Sequence, residues 1–112
     1  MNFKLIMIVA IFSAPCMANR VEATGKITRL YSYSEQMGFD GDIAIVTNNP
    51  VAGCEGGYWL RKASTEGYKN TLSFLLSAFH AGTNVQFGAL SNELWPGSSA
   101  KFCRIDQISL IR

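Results

Sequence analysis

The sequence predicts a mainly β protein, a small barrel of five strands with one helix between the third and fourth strands. Three observations lead to this prediction. Five short segments rich in β-branched and aromatic residues are bounded by turn residues. One longer segment has the spacing of an amphipathic helix. The apolar phase slips in the first and last strands, which is typical of the β-bulges that curve a sheet toward closure.

The first strand is predicted at residues 25–34, which read GKITRLYSYS. Its apolar positions change phase between Ile27 and Leu30, so we expect a β-bulge there. The turn-like MGFDGD follows, and the second strand covers residues 43–47, IAIVT, before the breaker NNP. A loop that contains glycine then leads to the third strand, YWLRK at residues 58–62.

Residues 65–82, TEGYKNTLSFLLSAFHAG, have helical periodicity. Thr65 is a good N-cap, and Gly82 is well placed to end the helix in a left-handed conformation. Phe74 and Ala78 widen the apolar face beyond the stripe that one sheet would cover. This width has two interpretations: the helix is simply well buried, or Phe74 and Ala78 form an interface with another subunit.

Two more strands follow the helix, NVQFGA at residues 84–89 and CRIDQISLI at residues 103–111. A second phase slip lies between Ile105 and Ile108, and it predicts a bulge in the last strand. Three strands, a helix and two strands are the element order of the five-stranded OB fold, β1-β2-β3-α-β4-β5. A small α+β sandwich has the same number of elements and is the alternative.

Residues 1–18, MNFKLIMIVAIFSAPCMA, combine one lysine, an uncharged run and a small-residue end, which is typical of a secretory signal peptide. The small residues Cys16 and Ala18 predict cleavage after Ala18. No second hydrophobic span follows, so we expect a secreted or periplasmic protein with a single domain at 19–112 and no membrane span. The alternative is a lipoprotein in which Cys16 becomes the lipidated first residue.

The cysteines predict one disulfide. The chain has three cysteines, and loss of Cys16 with the signal peptide would leave Cys54 and Cys103 to pair in an oxidising compartment. Two distant cysteines and the single His80 do not make a tetrahedral metal site. We therefore expect no metal and no other cofactor.

Charge and motifs argue against two further classes of function. The net charge is only +2 at pH 7 and the basic residues are scattered, which disfavours an oligonucleotide-binding surface. The sequence has no nucleophile-elbow, phosphate-loop or metal motif. Asp40 and Asp42 fall in a turn, where aspartate is common for conformational reasons. We therefore expect a protein that is not an enzyme and does not bind nucleic acid.

Four features of the chain resemble one family: GKITRLY, the lone cysteine after the second strand, YKNTLSFLLSAFHAGTNVQF and CRIDQISLIR. Together they are similar to the B subunits of pentameric bacterial toxins, especially the subtilase-cytotoxin and pertussis-like group. The resemblance implies an exported OB-fold lectin that forms a homo-oligomeric ring, a pentamer, and binds host glycans or glycoproteins, with a toxin A subunit as a possible partner. It also implies a sugar contact at Thr24, because a small hydroxyl residue just ahead of the first strand's glycine contacts the sialylated glycan in that group.

Two stretches carry the side chains of a sugar-binding site, in which an aromatic ring packs on C–H groups and polar side chains pair with hydroxyls. One is Tyr33 with Ser34 and Glu35, and the other is Trp95 in the Pro-Gly turn of ELWPGSSAKFC. Each has an alternative: Tyr31 and Tyr33 as ordinary strand packing, and Trp95 as a hydrophobic lid over the barrel end. Further polar residues accompany the two stretches: Ser32, Asn92, Ser98 and Ser99.

The first hypothesis is therefore a non-enzymatic glycan-binding subunit. Its expected sugar contacts are Trp95, Thr24, Tyr33, Ser34 and Glu35. The alternative is a stand-alone secreted or periplasmic OB module that binds a protein or peptide partner. The second tryptophan, in the predicted third strand, is expected in the core.

Overall fold

The computed structural model describes residues 19–35 and 38–112 of the chain. The described part is mainly β with a single helix, as predicted, and its elements follow the predicted order along the chain. Their bounds are β1 (Arg20–Tyr31), β2 (Ile43–Thr47), β3 (Gly57–Leu60), α1 (Glu66–Ala81), β4 (Asn84–Leu94) and β5 (Phe102–Ile111). The predicted signal peptide at 1–18 and the lipidation alternative at Cys16 lie outside the described residues.

The five strands form one sheet that closes into a barrel. Around the sheet the strands follow the order β1, β2, β3, β5 and β4, so the order in space differs from the order along the chain. The difference arises because β3 pairs with β5 in parallel, whereas the other pairs are antiparallel. The sheet closes because β1 is long enough to pair with both β2 and β4.

β1 begins at Arg20, well before the predicted start at Gly25. Its first half, up to Lys26, pairs with β4, and its second half, from Ile27 onward, pairs with β2. The register with β2 shifts between Ile27 and Arg29, which confirms the predicted bulge. The bulge bends β1 from one neighbour toward the other, and this bend is what a small closed sheet requires.

The second predicted bulge is also present. Asp106 is an extra residue between two paired positions of β5, within the predicted interval from Ile105 to Ile108. β4 extends to Leu94, beyond the predicted end at Ala89, and a further register shift lies near its end. The extension places the last residues of β4 beside the start of β5.

α1 begins and ends where the sequence predicts. The Thr65 hydroxyl accepts a hydrogen bond from the Tyr68 backbone N–H at 3.2 Å, and Gly82 follows the helix in a left-handed conformation with φ of 65°. Leu75 and Ala78 are buried against the barrel. In the described part of the chain, no helix is long and apolar enough to span a membrane.

The burial of Ala78 corrects its predicted role at an oligomer interface. Ala78 is 1% exposed and packs in the barrel core, so it has no surface left for another subunit. Phe74 is 43% exposed, because it lies about 100° around the helix from the buried Leu75. The inward face of α1 is therefore narrower than its apolar residues suggest, and Phe74 lies on a flank.

Apolar residues form two clusters on opposite faces of β2 and β3. Ile45 and Tyr58 are paired across the two strands and belong to the interior cluster, together with residues of α1. Ala44 and Trp59 are also paired, and they point outward because successive side chains of a strand alternate. Trp59 is therefore buried, as predicted, but under an outer cover that the chain segments after β1 and β4 provide.

Cys54 and Cys103 form the predicted disulfide. Cys54 lies in the loop between β2 and β3, and Cys103 lies at the start of β5. The two residues are 49 positions apart in the sequence. The bond therefore connects the first half of the barrel to its last strand.

Candidate functional site

Trp95 follows β4 directly, and its side chain is buried against the outer face of β2 and β3. The residue is 1% exposed, and its indole N–H donates a hydrogen bond to Asp42 Oδ2 at 3.0 Å. Its backbone N–H donates to the Phe102 carbonyl at 3.0 Å, which joins the two ends of the segment 95–102. Sterics explain the glycine of the Pro-Gly turn, because a Cβ atom added at Gly97 would lie 2.5 Å from the Trp95 ring.

Asp42 is the one buried charged residue in the described ranges, at 5% exposed. Its second oxygen, Oδ1, accepts the backbone N–H of Lys62 at 3.0 Å. A buried carboxylate is costly unless it is paired, and here each oxygen accepts one hydrogen bond. Asp42 therefore ties the start of β2 both to Trp95 and to the chain that leaves β3.

Aromatic rings surround Trp95 and complete the outer cover. We name this group the Trp95 cluster: Tyr31, Tyr33, Phe39, Ala44, Val46, Trp59, Trp95 and Phe102. The Tyr33 ring stacks on Trp95, with centroids 5.7 Å apart and an interplanar angle of 19°, while Tyr31 meets Trp95 edge-on. Burial raises the pKa of Tyr31, and the neighbouring Tyr33 raises it further. The cluster therefore supports Tyr33 in one orientation.

The burial of Trp95 corrects its predicted role as a wall of the sugar site. A side chain that is 1% exposed has no face on which a sugar ring can stack. Burial agrees with the alternative of a hydrophobic cover. The cover differs from the predicted lid in its place, because Trp95 packs on the outside of the barrel wall rather than over its end.

The surface segment just after β1 contains three predicted sugar contacts, Tyr33, Ser34 and Glu35. Tyr33 is half-buried, whereas Ser34 and Glu35 are exposed. A bridge between the backbones of Tyr33 and Asp40 brings the two ends of this loop together. One face of the Tyr33 ring rests on Trp95, and the two polar residues that follow Tyr33 in the chain are exposed.

Thr24 lies on a different surface. It is exposed in the first half of β1, where it faces Gln86 of β4, and Gln86 in turn faces Ser109 of β5. At about 3.3 Å per residue, the strand from Thr24 to its end at Tyr31 is about 23 Å long. The structure therefore does not bring Thr24 together with the Tyr33 group.

A groove that the sequence did not predict lies between the start of α1 and β5. Its volume is about 250 Å³. Charged, hydroxyl and aromatic side chains line it: Arg61, Thr65, Tyr68, Thr71, Arg104 and Asp106. Its parts are distant in sequence and meet only because β3 and β5 pair in parallel, so no local pattern could have indicated it.

Two ion pairs flank this groove. Arg104 Nε donates to Glu93 Oε1 at 2.6 Å, and this hydrogen bond lowers the pKa of Glu93. Arg20 donates to both oxygens of Asp106, at 3.0 and 3.1 Å. Its hydrogen bonds to Asp106 and Glu22 raise the pKa of Arg20. Each of the two acidic side chains near the groove is therefore paired with an arginine.

The described residues contain no group of three His, Cys, Asp or Glu side chains that could hold a metal ion. His80, the single histidine of the chain, lies exposed in the last turn of α1.

The chain matches no protein-family model, no curated protein and no solved structure. A function therefore has to be inferred from the chemistry of the Trp95 cluster and of the groove.

Proposed function

We propose that the protein is an exported, non-enzymatic glycan-binding protein built on an OB fold and related in role to the B subunits of bacterial toxins. The closed sheet with one helix between β3 and β4 supports the OB assignment. OB folds bind oligosaccharides and oligonucleotides on the face of strands 2 and 3, between the loops that join strands 1–2 and 4–5. The small net charge of +2 favours a sugar over a nucleic acid.

The observation that carries this proposal is the Tyr33 ring stacked on the buried Trp95. Tyr33 belongs to the loop between β1 and β2, and Trp95 begins the loop between β4 and β5. The two loops meet over the outer face of β2 and β3, which is the ligand-binding face of OB folds. A ring held in place in this way loses little conformational entropy when it binds a ligand.

The sugar contacts in this proposal are Tyr33, Ser34 and Glu35, while Trp95 acts through Tyr33. The Tyr33 ring provides an apolar edge for C–H groups, and the serine hydroxyl and the carboxylate pair with sugar hydroxyls. Thr24 remains the contact that the family resemblance implies. Because Thr24 lies far from Tyr33 along β1, the two surfaces are competing locations for one sugar ring.

Replacing Tyr33 by alanine is expected to weaken glycan binding about tenfold, because the loss of an aromatic contact costs on the order of 1.4 kcal/mol. Binding is first measured on a glycan array, and the strongest ligand is then titrated by calorimetry. A thermal melt of the variant checks that the fold is retained.

The matched control for this experiment is Thr24→Ala, which removes the hydroxyl on the other surface. If Tyr33→Ala binds as the wild type does and Thr24→Ala does not, the glycan site lies on β1. If the wild type retains no glycan on the array, the proposed function is wrong, and the stand-alone module that binds a protein or peptide becomes the better hypothesis.

We further propose that the protein forms a homo-oligomeric ring, the pentamer that the resemblance implies, through a flank of α1. Three large apolar side chains of this helix are at least 40% exposed: Phe74, Leu76 and Phe79. Exposed apolar side chains that adjoin one another are typical of a surface that another protein covers. Phe74 and Leu76 lie on opposite flanks, since two helical steps turn about 200°.

Replacing Phe74 by glutamate is expected to dissociate the ring, because the new charge would be buried in the interface without a partner. Light scattering at micromolar concentration measures the change, with Asn92→Glu in β4 as a control that adds the same charge away from the helix. A wild type that is monomeric at high micromolar concentration contradicts the ring. Dissociation by Leu76→Glu but not by Phe74→Glu moves the interface to the other flank.

A further inference from the structure

The groove between α1 and β5 shares no residue with the proposed Tyr33 site. Its walls come from the residues that follow β3, from the first turns of α1 and from the middle of β5. Leu60 and Ile105 give it an apolar floor next to the barrel core, where both residues are buried. A concave site with an apolar floor and a few polar groups at its rim is the usual form of a small-ligand site.

The groove presents more hydrogen-bond donors than acceptors. Arg104 uses only its Nε atom for Glu93, which leaves the N–H groups of its two terminal nitrogens. Among the described residues, no carboxylate lies within ion-pair distance of Arg61. The acidic lining residue, Asp106, already accepts hydrogen bonds from Arg20 on both oxygens. A ligand that carries hydrogen-bond acceptors would therefore suit this groove.

Oxyanions are the acceptors that suit two guanidinium groups, because the planar fork of arginine pairs with carboxylate and phosphate oxygens. The groove volume of about 250 Å³ lies just below the range of about 300–1,000 Å³ for sites of drug-sized ligands. It is therefore suited to a single ring or a short chain. The Tyr68 ring and the Thr71 hydroxyl line the same groove and can contact the uncharged part of such a ligand.

We propose that this groove binds a small organic acid, whose carboxylate is held by Arg61 and Arg104. The site goes beyond the proposed function and does not depend on it, because none of its residues belongs to the Tyr33 group. Its ligand is defined by chemistry: a carboxylate on a body no larger than one sugar ring.

The test is an NMR titration of the ¹⁵N-labelled protein with glucuronate, inorganic phosphate and glucose. Glucuronate is expected to give saturable shifts of the Arg61 and Arg104 resonances, including their side-chain Nε signals. Glucose has the same ring without the carboxylate and is expected to give none. Phosphate binding in addition to glucuronate would support recognition of the oxyanion itself, whereas binding of phosphate alone would contradict an organic acid as the ligand.

Arg61→Gln is expected to weaken glucuronate binding about tenfold or more, because it removes a charge-assisted contact. Arg112→Gln at the end of the chain removes the same charge elsewhere and is expected to leave the affinity unchanged. The exposed Arg61 makes no ion pair in the described structure, so its replacement should not impair folding. The inference is overturned if glucuronate gives no saturable shift, or if both variants reduce binding equally. Neither result would affect the Tyr33 site.

Discussion

Replacing Trp95 by alanine is expected to lower the free energy of unfolding by about 3–5 kcal/mol, the range for truncation of a large buried aromatic residue. Three contributions are lost together. The indole is among the largest fully buried side chains of the described chain, and its N–H is a partner of the buried Asp42. Its ring also supports Tyr33 from below. Urea unfolding followed by circular dichroism measures the change.

Trp95→Phe is the matched control for this experiment. It keeps an aromatic ring in the Trp95 cluster but removes the N–H donor, so Asp42 Oδ2 loses its partner at a cost of about 1–3 kcal/mol. We therefore expect the phenylalanine variant to lie between the wild type and the alanine variant in stability. An alanine variant within about 1 kcal/mol of the wild type would contradict the buried position of Trp95.

The effect of Trp95→Ala on binding separates the two roles considered for this residue. If Trp95 is a wall of the site, its replacement by alanine should lower the stability little and weaken glycan binding strongly. If Trp95 instead supports Tyr33, its removal lowers both the stability and the glycan affinity, since the ring of Tyr33 is no longer held against the barrel. Loss of glycan binding at unchanged stability would therefore return Trp95 to direct contact with the sugar.

The elements that the sequence predicts well are those with local signals. Both bulges lie where the apolar phase slips, and α1 is bounded by Thr65 and Gly82 because a cap and a left-handed glycine act within one turn. The early start of β1 is different. Val21 and Ala23 alternate with polar residues, but alanine and glycine are weak strand formers, and the strand extends to Arg20 because β4 is there to pair with it.

The burial of Trp95 contradicts only its predicted contact with the sugar, and the sequence contains a signal that favours the alternative, a hydrophobic cover. In β2 and β3, residues of both faces are apolar: Ile45 and Tyr58 on one face, Ala44 and Trp59 on the other. A strand that is apolar on both faces must be covered on both. The outer face of this barrel therefore needed a cover, and Trp95 with its neighbouring rings provides it.

The conformation of Asp42 has a local cause, and the burial of its side chain has a tertiary one. The turn that the sequence predicts is present, since the Asp42 backbone N–H donates to the Phe39 carbonyl at 3.2 Å. The turn alone would leave the side chain in solvent. Its burial depends on Trp95 and on Lys62, which are distant in the sequence. Contacts between distant segments produce no periodic pattern in a sequence, so the burial could not be predicted.

Removing the disulfide between Cys54 and Cys103 is expected to destabilise the protein by about 4 kcal/mol. A cross-link across 49 positions restricts the unfolded chain, and in the loop-entropy model a closure of this length contributes about that much. A small domain has little stability to spare, because net stabilities are on the order of 5–15 kcal/mol. The double variant Cys54→Ala with Cys103→Ala should therefore be close to unfolding at 37 °C.

The measurement compares urea unfolding of the wild type and the double variant, each with and without reductant. Reductant should destabilise the wild type to the level of the variant and leave the variant unchanged, because the variant has no bond to lose. Intact mass after alkylation should show that reduction exposes two additional thiols in the wild type. An unchanged number of reactive thiols would contradict the bond. Because Cys103 is the second residue of β5, beside the segment that carries Trp95, a reduced protein that keeps its stability would show that this segment stays in place without the disulfide.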